Sequence, residues 1–242
     1  MNLLWPSATH PMDLAEDVHV WAWRTSGQTR DSDKTAILSP DERARMSRLR
    51  FAEDQHRYLV CHANLRVLLA GYCRSAPQEI AFEANEFGKP ALREPAGFGT
   101  LRFNLSHSEN MAILAVTRVG EIGADVEHIR PIEVDVAEAH FSKGELAELQ
   151  TLAETEWLAG FFNCWTRKEA ILKAEGCGLN LPLAGFDVSL IPQQRAVLRE
   201  VRPGVKMRND WQLQHLEPAA GFAAAIAVGG SFARVRCFGF IC

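Results

Sequence analysis

The stretch IGADVEHIR, residues 122–130, places two carboxylates on a segment that has the pattern of a β-strand. Residues 124–127 alternate apolar and acidic side chains, which is typical of a strand that is half-buried. Because successive side chains on a strand point to opposite faces, Asp125 and Glu127 share one face, about 7 Å apart along the chain. Neighbouring carboxylates repel each other. This face is therefore expected either to be exposed to solvent or to bind a cation.

Helix and strand patterns alternate on both sides of this stretch and divide the chain into two halves of similar make-up. In the first half they predict strands over residues 18–23, 101–108 and 111–117, a helix from residue 40 and a long helix over 52–73. In the second half they predict helices over residues 142–152 and 155–175 and strands over 186–190, 211–216 and 222–228. We therefore expect an α+β fold of two similar subdomains, residues 1–118 and 119–242, that join near residues 111–127.

Several helix ends are marked by capping residues. Ser39 followed by Pro40 predicts a helix start, since proline is favoured at the first helical position. Ser142 and Glu145 have the spacing of a capping box. Gly176 is expected just beyond the end of the last long helix.

The composition is that of a globular protein with a sizeable core. Hydrophobic residues make up 47% of the 242 residues, and the formal net charge of -4 does not favour binding to nucleic acid or to an anionic membrane. The six cysteines contain no CxxC pair, so they are expected to be buried free thiols in a reducing compartment. The chain has neither a signal-peptide pattern nor an apolar run long enough to span a membrane. We expect a cytoplasmic monomer.

A second informative stretch, FFNCWTRKEAILKAEGCGL, covers residues 161–179. On a helix its Trp165, Glu169 and Lys173 lie on one face, because residues four apart are neighbours there. They could form an ordinary surface pair, worth only a few tenths of a kcal/mol. If Glu169 instead meets Asp125 and Glu127, the three carboxylates form a ligand set that suits Mg²⁺, and the lysine can serve a substrate phosphate. The residues themselves leave both interpretations open.

Three other groups of residues have side chains that suit phosphate binding. Ser106, His107 and Ser108 end a predicted strand, although a lone histidine is more often a structural hydrogen-bonding residue. Lys89 lies in the turn FGKP, residues 87–90. The third group is basic, and arginine forks match phosphates well, although such charge runs are usually solvated faces. Its members are Arg43, Arg45, Arg48, Arg50 and Arg57.

The order of FGKP, FNLSHS, IGADVE and FFNCWTRKEAILKAEGCGL along the chain resembles that of the 4'-phosphopantetheinyl transferase superfamily, and the chain length resembles its Sfp-type branch. The resemblance extends from about residue 39 to residue 190, and the combination of D-x-E with W-x-x-K-E-x-x-x-K is its most specific part. It implies two α+β halves related by a pseudo-twofold axis. Coenzyme A, the substrate, would bind in the active-site cleft between them.

The resemblance also implies a role for each acidic residue. Asp125, Glu127 and Glu169 would bind Mg²⁺, which Mn²⁺ would be able to replace. Lys173 would contact the pyrophosphate of coenzyme A. Asp125, Glu169 and Lys173 are accordingly the predicted catalytic residues, and Glu169 is predicted to act as a metal ligand, as the general base or as both.

The basic residues would bind the nucleotide part of coenzyme A. His107 and Arg57 would hold the 3'-phosphate, and Ser106 and Lys89 would line the nucleotide site. Members of the family often carry a lysine near the start of the SP helix, where this chain has Glu42. Arg43 and Arg45 follow closely and are the alternatives for that phosphate contact.

The implied reaction is the attack of a carrier-protein serine on the β-phosphorus of coenzyme A, with release of 3',5'-adenosine bisphosphate. The partners would be apo acyl, aryl or peptidyl carrier domains of fatty-acid, polyketide or nonribosomal peptide synthesis. Two other classes remain open: a metal-dependent phosphohydrolase and a non-catalytic coenzyme A binding module. The carrier is expected to dock on residues 128–141 through apolar side chains, of which the candidates are Ile132, Val134, Val136 and Phe141.

Overall fold

The computed structural model describes residues 3–26, 31–93, 101–178 and 181–241. Within them the chain has the predicted α+β fold. The helices are α1 Asp31–Ile37, α2 Pro40–Ser47, α3 Ala52–Cys73, α4 Val134–His140, α5 Lys143–Gln150 and α6 Glu154–Glu175. The strands are β1 Ser7–Ala8, β2 Val18–Arg24, β3 Phe82–Ala84, β4 Pro90–Leu92, β5 Arg102–Ser108, β6 Met111–Thr117, β7 Ile122–His128, β8 Phe186–Val188, β9 Leu198–Val201, β10 Trp211–Leu216, β11 Phe222–Gly229 and β12 Val235–Phe240.

Two main sheets pack face to face between two long helices. One has five strands in the order β1-β12-β2-β6-β5, and the other has three in the order β10-β11-β7. Apolar residues of α3 pack on the outer face of the five-stranded sheet, and those of α6 pack on the outer face of the three-stranded sheet. A third apolar cluster fills the space between the sheets. The result is a helix–sheet–sheet–helix sandwich, in which the central strands are buried on both faces.

The predicted helix ends agree with the structure. Ser39 and Ser142 both close capping boxes, in which the serine oxygen accepts from the backbone N–H of Glu42 or Glu145, and that glutamate accepts from the serine N–H. Helix α6 ends at Gly176, which has a φ of +64° that favours glycine.

The two halves also repeat a buried ion pair beneath their long helices. Arg66 of α3 donates to a carboxylate oxygen of Glu42 over 2.7 Å, and Lys168 of α6 lies 2.8 Å from Glu145. Each cation stands fourteen residues after the first residue of its helix, which is Ala52 in α3 and Glu154 in α6. The pairs differ in residue type, which is why the repeat is not visible in the letters of the sequence.

Each buried cation is completed by the segment that follows its helix. Arg66 donates to the carbonyl oxygens of Pro77 and Ile80, and Lys168 donates to those of Leu183 and Phe186. A phenylalanine ring packs against each cation, Phe82 under Arg66 and Phe186 under Lys168. The duplicated contacts agree with the predicted pair of similar halves.

The last strand crosses from the second half back to the first. β12 pairs in parallel with β2 and with β1, so residues 235–240 belong to the five-stranded sheet although they end the second half of the sequence. The division into residues 1–118 and 119–242 remains a prediction. Neither β12 nor the short helix α1 was expected from the sequence.

Two expectations from composition can be compared with the structure. No helix in the described part of the chain has the length and hydropathy that a bilayer span requires. Cys61, Cys73 and Cys164 are buried free thiols as predicted, whereas Cys177 and Cys237 are partly exposed, and Cys242 lies outside the described residues.

We predict that Lys168→Met lowers the free energy of unfolding by about 3–5 kcal/mol, because it leaves the Glu145 carboxylate buried without its cation. Arg66→Met should cost a similar amount, since it isolates Glu42 in the same way. Urea denaturation measures both effects. The control is Arg199→Met, which breaks an exposed pair with Glu148 and should cost less than about 1 kcal/mol. Equal effects at all three positions would contradict the structural role of the buried pairs.

Candidate active site at the junction of the two sheets

The edge strands of the two sheets, β5 and β7, are joined through side chains. Asn104, Ser106 and Ser108 alternate along β5, and each accepts a hydrogen bond from a backbone N–H of β7. The donors are Ala124 to Asn104 Oδ1 (2.9 Å), Val126 to Ser106 Oγ (3.4 Å) and His128 to Ser108 Oγ (3.2 Å). We call these three bonds the polar seam. It fixes the register of the acidic strand against the first half of the protein.

The two serines of the polar seam also bind the carboxylates of the acidic strand. Ser106 donates its hydroxyl proton to Asp125 Oδ1 over 3.0 Å, and Ser108 donates to Glu127 Oε2 over 2.7 Å. Each serine therefore accepts from one residue of β7 and donates to the preceding one. This arrangement orients both carboxylates relative to β5.

Helix α6 lies unusually close to the acidic strand because Gly123 has no side chain. A Cβ at Gly123 would lie 2.0 Å from the carbonyl oxygen of Ala170 and 2.4 Å from the nitrogen of Ala174. Gly123, Asp125 and Glu127 share one face of β7, so the helix that packs at Gly123 also reaches the acids. The neighbouring strand β11 adds only small side chains beneath the helix, Ala223, Ala225 and Ala227.

Lys173 of α6 is the cation nearest to the acidic face. Its Nζ lies 2.6 Å from Asp125 Oδ1 and donates to Ser106 Oγ over 2.9 Å. Asp125 is only 3% exposed, and its Oδ2 is buried without a hydrogen-bond partner. The expectation of a half-buried strand was therefore wrong at this residue, because α6 covers the face that carries the acids.

Glu127 and Glu169 complete a group of three carboxylates that interact electrostatically. Burial raises the pKa of Glu169, and the charges of Asp125 and Glu127 raise it further. Burial and then the charge of Asp125 also raise the pKa of Glu127. Burial raises the pKa of Asp125, against the effects of Lys173 and Ser106. The site therefore carries more negative charge than Lys173 offsets.

The three carboxylates are near one another but are not assembled as a closed ligand cluster. No set of three acidic, histidine or cysteine side chains in the described ranges already has the arrangement of a metal site. Glu169 makes no hydrogen bond or ion pair within those ranges, and Asp125 Oδ2 is free. The carboxylate oxygen donors and the unpartnered Oδ2 fit a hard divalent ion such as Mg²⁺.

A basic group lies on the opposite face of β5. His107 points away from Ser106, as alternation along a strand requires. Burial lowers the pKa of His107, and the positive charges of Arg57, Lys173 and His62 lower it further. Arg57 is also bound to Asp54, 2.8 Å away on the same helix. The structure thus brings the predicted pair His107 and Arg57 together and adds His62.

A cavity of about 270 Å³ opens between α6, β5 and the turn at residues 87–90. Glu169, Lys173, Lys89 and Asn104 contribute to its lining. Lys89 reaches this cavity, but its Nζ donates to Glu121 Oε2 over 2.9 Å and to the carbonyl oxygen of Ala174 over 2.7 Å. Lys89 therefore also attaches the turn to the C-terminal end of α6.

The positions of three other predicted binding residues follow from their contacts and exposure. Ser106 hydrogen-bonds to Asp125 and Lys173. It lies on the opposite face of β5 from His107, because neighbouring strand residues point to opposite faces. Arg43 and Arg45 are exposed on α2, and Arg43 donates to the carbonyl oxygen of Leu38 over 2.6 Å. Neither arginine lines the cavity next to Glu169.

Glu42, which stands where the family often has lysine, is a structural residue. Burial would raise the pKa of this carboxyl group, but hydrogen bonds from His62, the Ser39 backbone and Arg66 lower it to about 2. Glu42 therefore stabilises the start of α2, and this position offers no basic side chain for a phosphate.

The predicted carrier-docking segment is less exposed than expected. Phe141 is buried against Phe161, and Ile132 and Val136 are partly buried against the same core. Val134 remains 60% exposed. Among the four apolar candidates, Val134 is therefore the residue best placed for contact with a partner.

Sequence reasoning missed three residues of the site, Asn104, Gly123 and His62, and it did not link Ser108 to Glu127. The alternation of polar side chains in NLSHS was a signal for the polar seam, since residues 104, 106 and 108 must share a face. A glycine inside a strand pattern was a signal for close approach of another backbone. No sequence signal linked His62 to His107.

Glu169 and Lys173 line the cavity, and Asp125 and Glu127 lie next to them on β7. Carboxylates that can hold a cation, together with a lysine, are groups that stabilise a transferring phosphoryl group. Residues 121–227 match the model of the 4'-phosphopantetheinyl transferase superfamily, and residues 22–119 match that of the N-terminal region of 4'-phosphopantetheinyl transferase. The 4'-phosphopantetheinyl transferase HetI of Nostoc sp. is 34% identical over 220 residues, which cover 90% of each protein. The chain belongs to the 4'-phosphopantetheinyl transferase superfamily, which confirms the resemblance seen in its motifs.

Parts of the chain are also similar to a second transferase and to a solved structure. The 4'-phosphopantetheinyl transferase Sfp of Bacillus subtilis is 33% identical over 155 residues, 64% of this chain and 67% of that protein. The crystal structure of the Thermotoga maritima holo-acyl-carrier-protein synthase, AcpS, aligns with a TM-score of 0.35 and 20% identity over 46% of this chain and 62% of that one.

We predict that Gly123→Ala lowers the free energy of unfolding by about 1–3 kcal/mol, because the new Cβ collides with the backbone of α6. The displaced helix should also lower transferase activity, since it carries Glu169 and Lys173. Urea denaturation and rate measurements test the two effects. Gly144→Ala is the matched control, because its Cβ would meet side-chain oxygens and no backbone atom, with Asp187 Oδ2 at 3.2 Å and Ser142 Oγ at 3.7 Å. A Gly123→Ala variant as stable and active as Gly144→Ala would refute the packing argument.

Proposed function

We propose that the chain transfers the 4'-phosphopantetheine group of coenzyme A to a serine of apo carrier proteins in a Mg²⁺-dependent reaction that releases 3',5'-adenosine bisphosphate. The observation that carries this proposal is the convergence of Asp125, Glu127, Glu169 and Lys173 beside one cavity. The names of the relatives HetI and Sfp support the same reaction.

Asp125, Glu127 and Glu169 are the residues proposed to hold the metal. Their carboxylate oxygens are the ligand type that Mg²⁺ prefers, and such sites are often completed by substrate phosphates. Bound Mg²⁺ would supply Lewis-acid stabilisation of the negative charge on the pyrophosphate. Ser106 and Ser108 would hold the Asp125 and Glu127 carboxylates in position throughout.

The remaining groups are proposed to act on the substrate directly. Lys173 would release Asp125 and donate to the pyrophosphate, where its charge stabilises the leaving phosphate. His107 and Arg57 would hold the 3'-phosphate. Glu169 would accept the hydroxyl proton of the carrier serine while the serine oxygen attacks the β-phosphorus. General-base catalysis of this kind typically contributes ~10²–10⁴-fold to the rate. The bond from this phosphorus to the bridging oxygen then breaks, and that oxygen leaves with the adenosine bisphosphate.

The decisive experiment incubates the protein with coenzyme A, MgCl₂ and an apo acyl or peptidyl carrier domain. Mass spectrometry should show the carrier gaining one phosphopantetheine, and chromatography should show one adenosine bisphosphate per transfer. Chelation of divalent ions should stop the reaction. If phosphate or adenosine bisphosphate is released equally fast without carrier, the protein is a phosphohydrolase. If coenzyme A binds but neither product forms, the protein is a binding module.

We predict that Asp125→Asn reduces kcat to less than a tenth of the wild-type value, a loss above ~1.4 kcal/mol. The variant should also lose the rise in melting temperature that MgCl₂ and coenzyme A give the wild type, because a ligand stabilises only a fold that binds it. Without metal its stability should change little, since Lys173 is 30% exposed in the ion pair and can turn to solvent. Retention of the metal-dependent stabilisation would exclude Asp125 as a ligand.

We predict that His107→Ala and Arg57→Ala raise KM for coenzyme A but have little effect on KM for 3'-dephospho-coenzyme A. The analogue lacks the group that these residues are proposed to bind. The control is Arg199→Ala, an exposed arginine paired with Glu148 that should affect neither substrate. Equal damage with both substrates would show that His107 and Arg57 act on the fold rather than on the 3'-phosphate.

A further inference from the structure

A second cavity, of about 490 Å³, lies on the face of α6 that points away from the candidate active site. Ala159, Asn163 and Arg167 line it from α6 at intervals of four, which places them on one helix face. Arg167 precedes Glu169 by two residues, or about 200° of helix rotation. The two cavities therefore have α6 between them, and the described side chains that line one do not line the other.

Arg167 is a buried cation for which the described residues supply no carboxylate partner. Its side chain is 1% exposed, and one guanidinium nitrogen donates to the carbonyl and hydroxyl oxygens of Ser189. Within the described residues it forms no ion pair, and its Nε is buried without a hydrogen-bond partner. Burial lowers the pKa of Arg167 to about 10, so it still carries its charge at neutral pH. Buried charges are normally paired, because leaving water without a partner is costly.

The fold itself does not require a cation at this position. Leu65 occupies the equivalent place in α3, directly before Arg66, as Arg167 directly precedes Lys168. Leu65 is buried in the first-half core. The buried cations that do have a structural role, Arg66 and Lys168, are each paired with a glutamate. Arg167 therefore differs from both, and the difference indicates a partner that comes from outside the chain.

A histidine faces the same cavity and becomes a second donor when its ring is protonated. His215 of β10 lines it, and its Nδ1 is buried without a hydrogen-bond partner, while its Nε2 lies 3.4 Å from Glu217. Glu217 also belongs to the lining but is 68% exposed, at the rim. The walls between the polar groups are apolar and include Leu213 and Phe222. Ligand cavities commonly combine an apolar lining with a few polar groups that orient the ligand.

We propose that this cavity binds a small organic anion, with a carboxylate or phosphate held by Arg167 and His215 and an apolar body against Leu213 and Phe222. The anion would supply the negative charge that Arg167 lacks and accept from its Nε. Because Nε2 of His215 faces Glu217, Nδ1 of the neutral ring is an acceptor, and the anion would favour the protonated ring, in which Nδ1 donates. The site is separate from the proposed coenzyme A site, and it would exist whether or not the transferase reaction is the correct assignment.

Isothermal titration calorimetry with benzoate, phenyl phosphate and the neutral analogue benzamide tests the proposal. Benzoate or phenyl phosphate should bind with a Kd in the millimolar range or below, and the tighter of the two identifies the anionic group. Benzamide should bind at least tenfold more weakly. If neither anion binds below about 10 mM, or if benzamide binds as well, the proposal fails.

Variants assign the binding to this cavity. Arg167→Met should weaken anion binding at least tenfold while keeping or raising the melting temperature without ligand, because it removes an unpaired buried charge. Arg167→Lys, which keeps the charge, should retain part of the affinity and serves if the methionine variant fails to fold. Arg199→Met, the control, removes an exposed arginine paired with Glu148 and should bind normally.

Anions could also bind the basic group of the active site, so His107→Ala is measured in parallel. Normal binding by His107→Ala together with loss in Arg167→Met supports the second site. Loss in His107→Ala with normal binding in both Arg167 variants would overturn it, because the anion would then occupy the active site. Changes in backbone NMR shifts around residues 213–215 on adding benzoate provide an independent readout, and their absence at saturation would also overturn the proposal.

Discussion

Two sheet edges that are joined by side chains instead of a backbone ladder determine where the chemistry of this protein can occur. A continuous ladder between β5 and β7 would merge the two sheets, and the N–H groups of β7 would then donate to backbone carbonyl oxygens of β5. In the polar seam, Asn104, Ser106 and Ser108 instead satisfy the free N–H groups of β7. The hydroxyl groups remain able to donate, and their natural acceptors are Asp125 and Glu127. The acids are thus part of the junction.

Burial of these acids requires a nearby cation, and the close packing of α6 provides one. Gly123 lets the helix backbone approach the strand, so Lys173 reaches Asp125 although the face is almost closed to water. One lysine does not offset three carboxylates. Burial raises the pKa of Asp125, Glu127 and Glu169, and the charge of Asp125 raises it further at the two glutamates. A surplus of buried negative charge beside a cavity is the state in which binding of a divalent cation brings the largest electrostatic gain.

Periodic patterns explain why much of this fold could be predicted and why parts of the site could not. Strand alternation and helix spacing depend on nearby residues, so β7, α6 and the shared helix face of Glu169 and Lys173 were visible in the sequence. The burial of Asp125 was not, because it depends on a helix that begins almost thirty residues later. The roles of Lys89 and Ser106 also depend on distant partners, Glu121 and Lys173. β12 was missed because its partner β2 is near the other end of the chain.

The duplicated architecture also explains how the two halves came to differ in chemistry. In each half, a buried cation of the long helix pairs with the capping-box glutamate of the short helix that precedes it. At the positions of α3 that match Glu169 and Lys173, one and five residues after the buried cation, the chain has Val67 and Gly71. The first half therefore lacks these two groups and contributes His107 and the seam side chains from β5. A site built from both halves needs a fixed junction, and the polar seam supplies it.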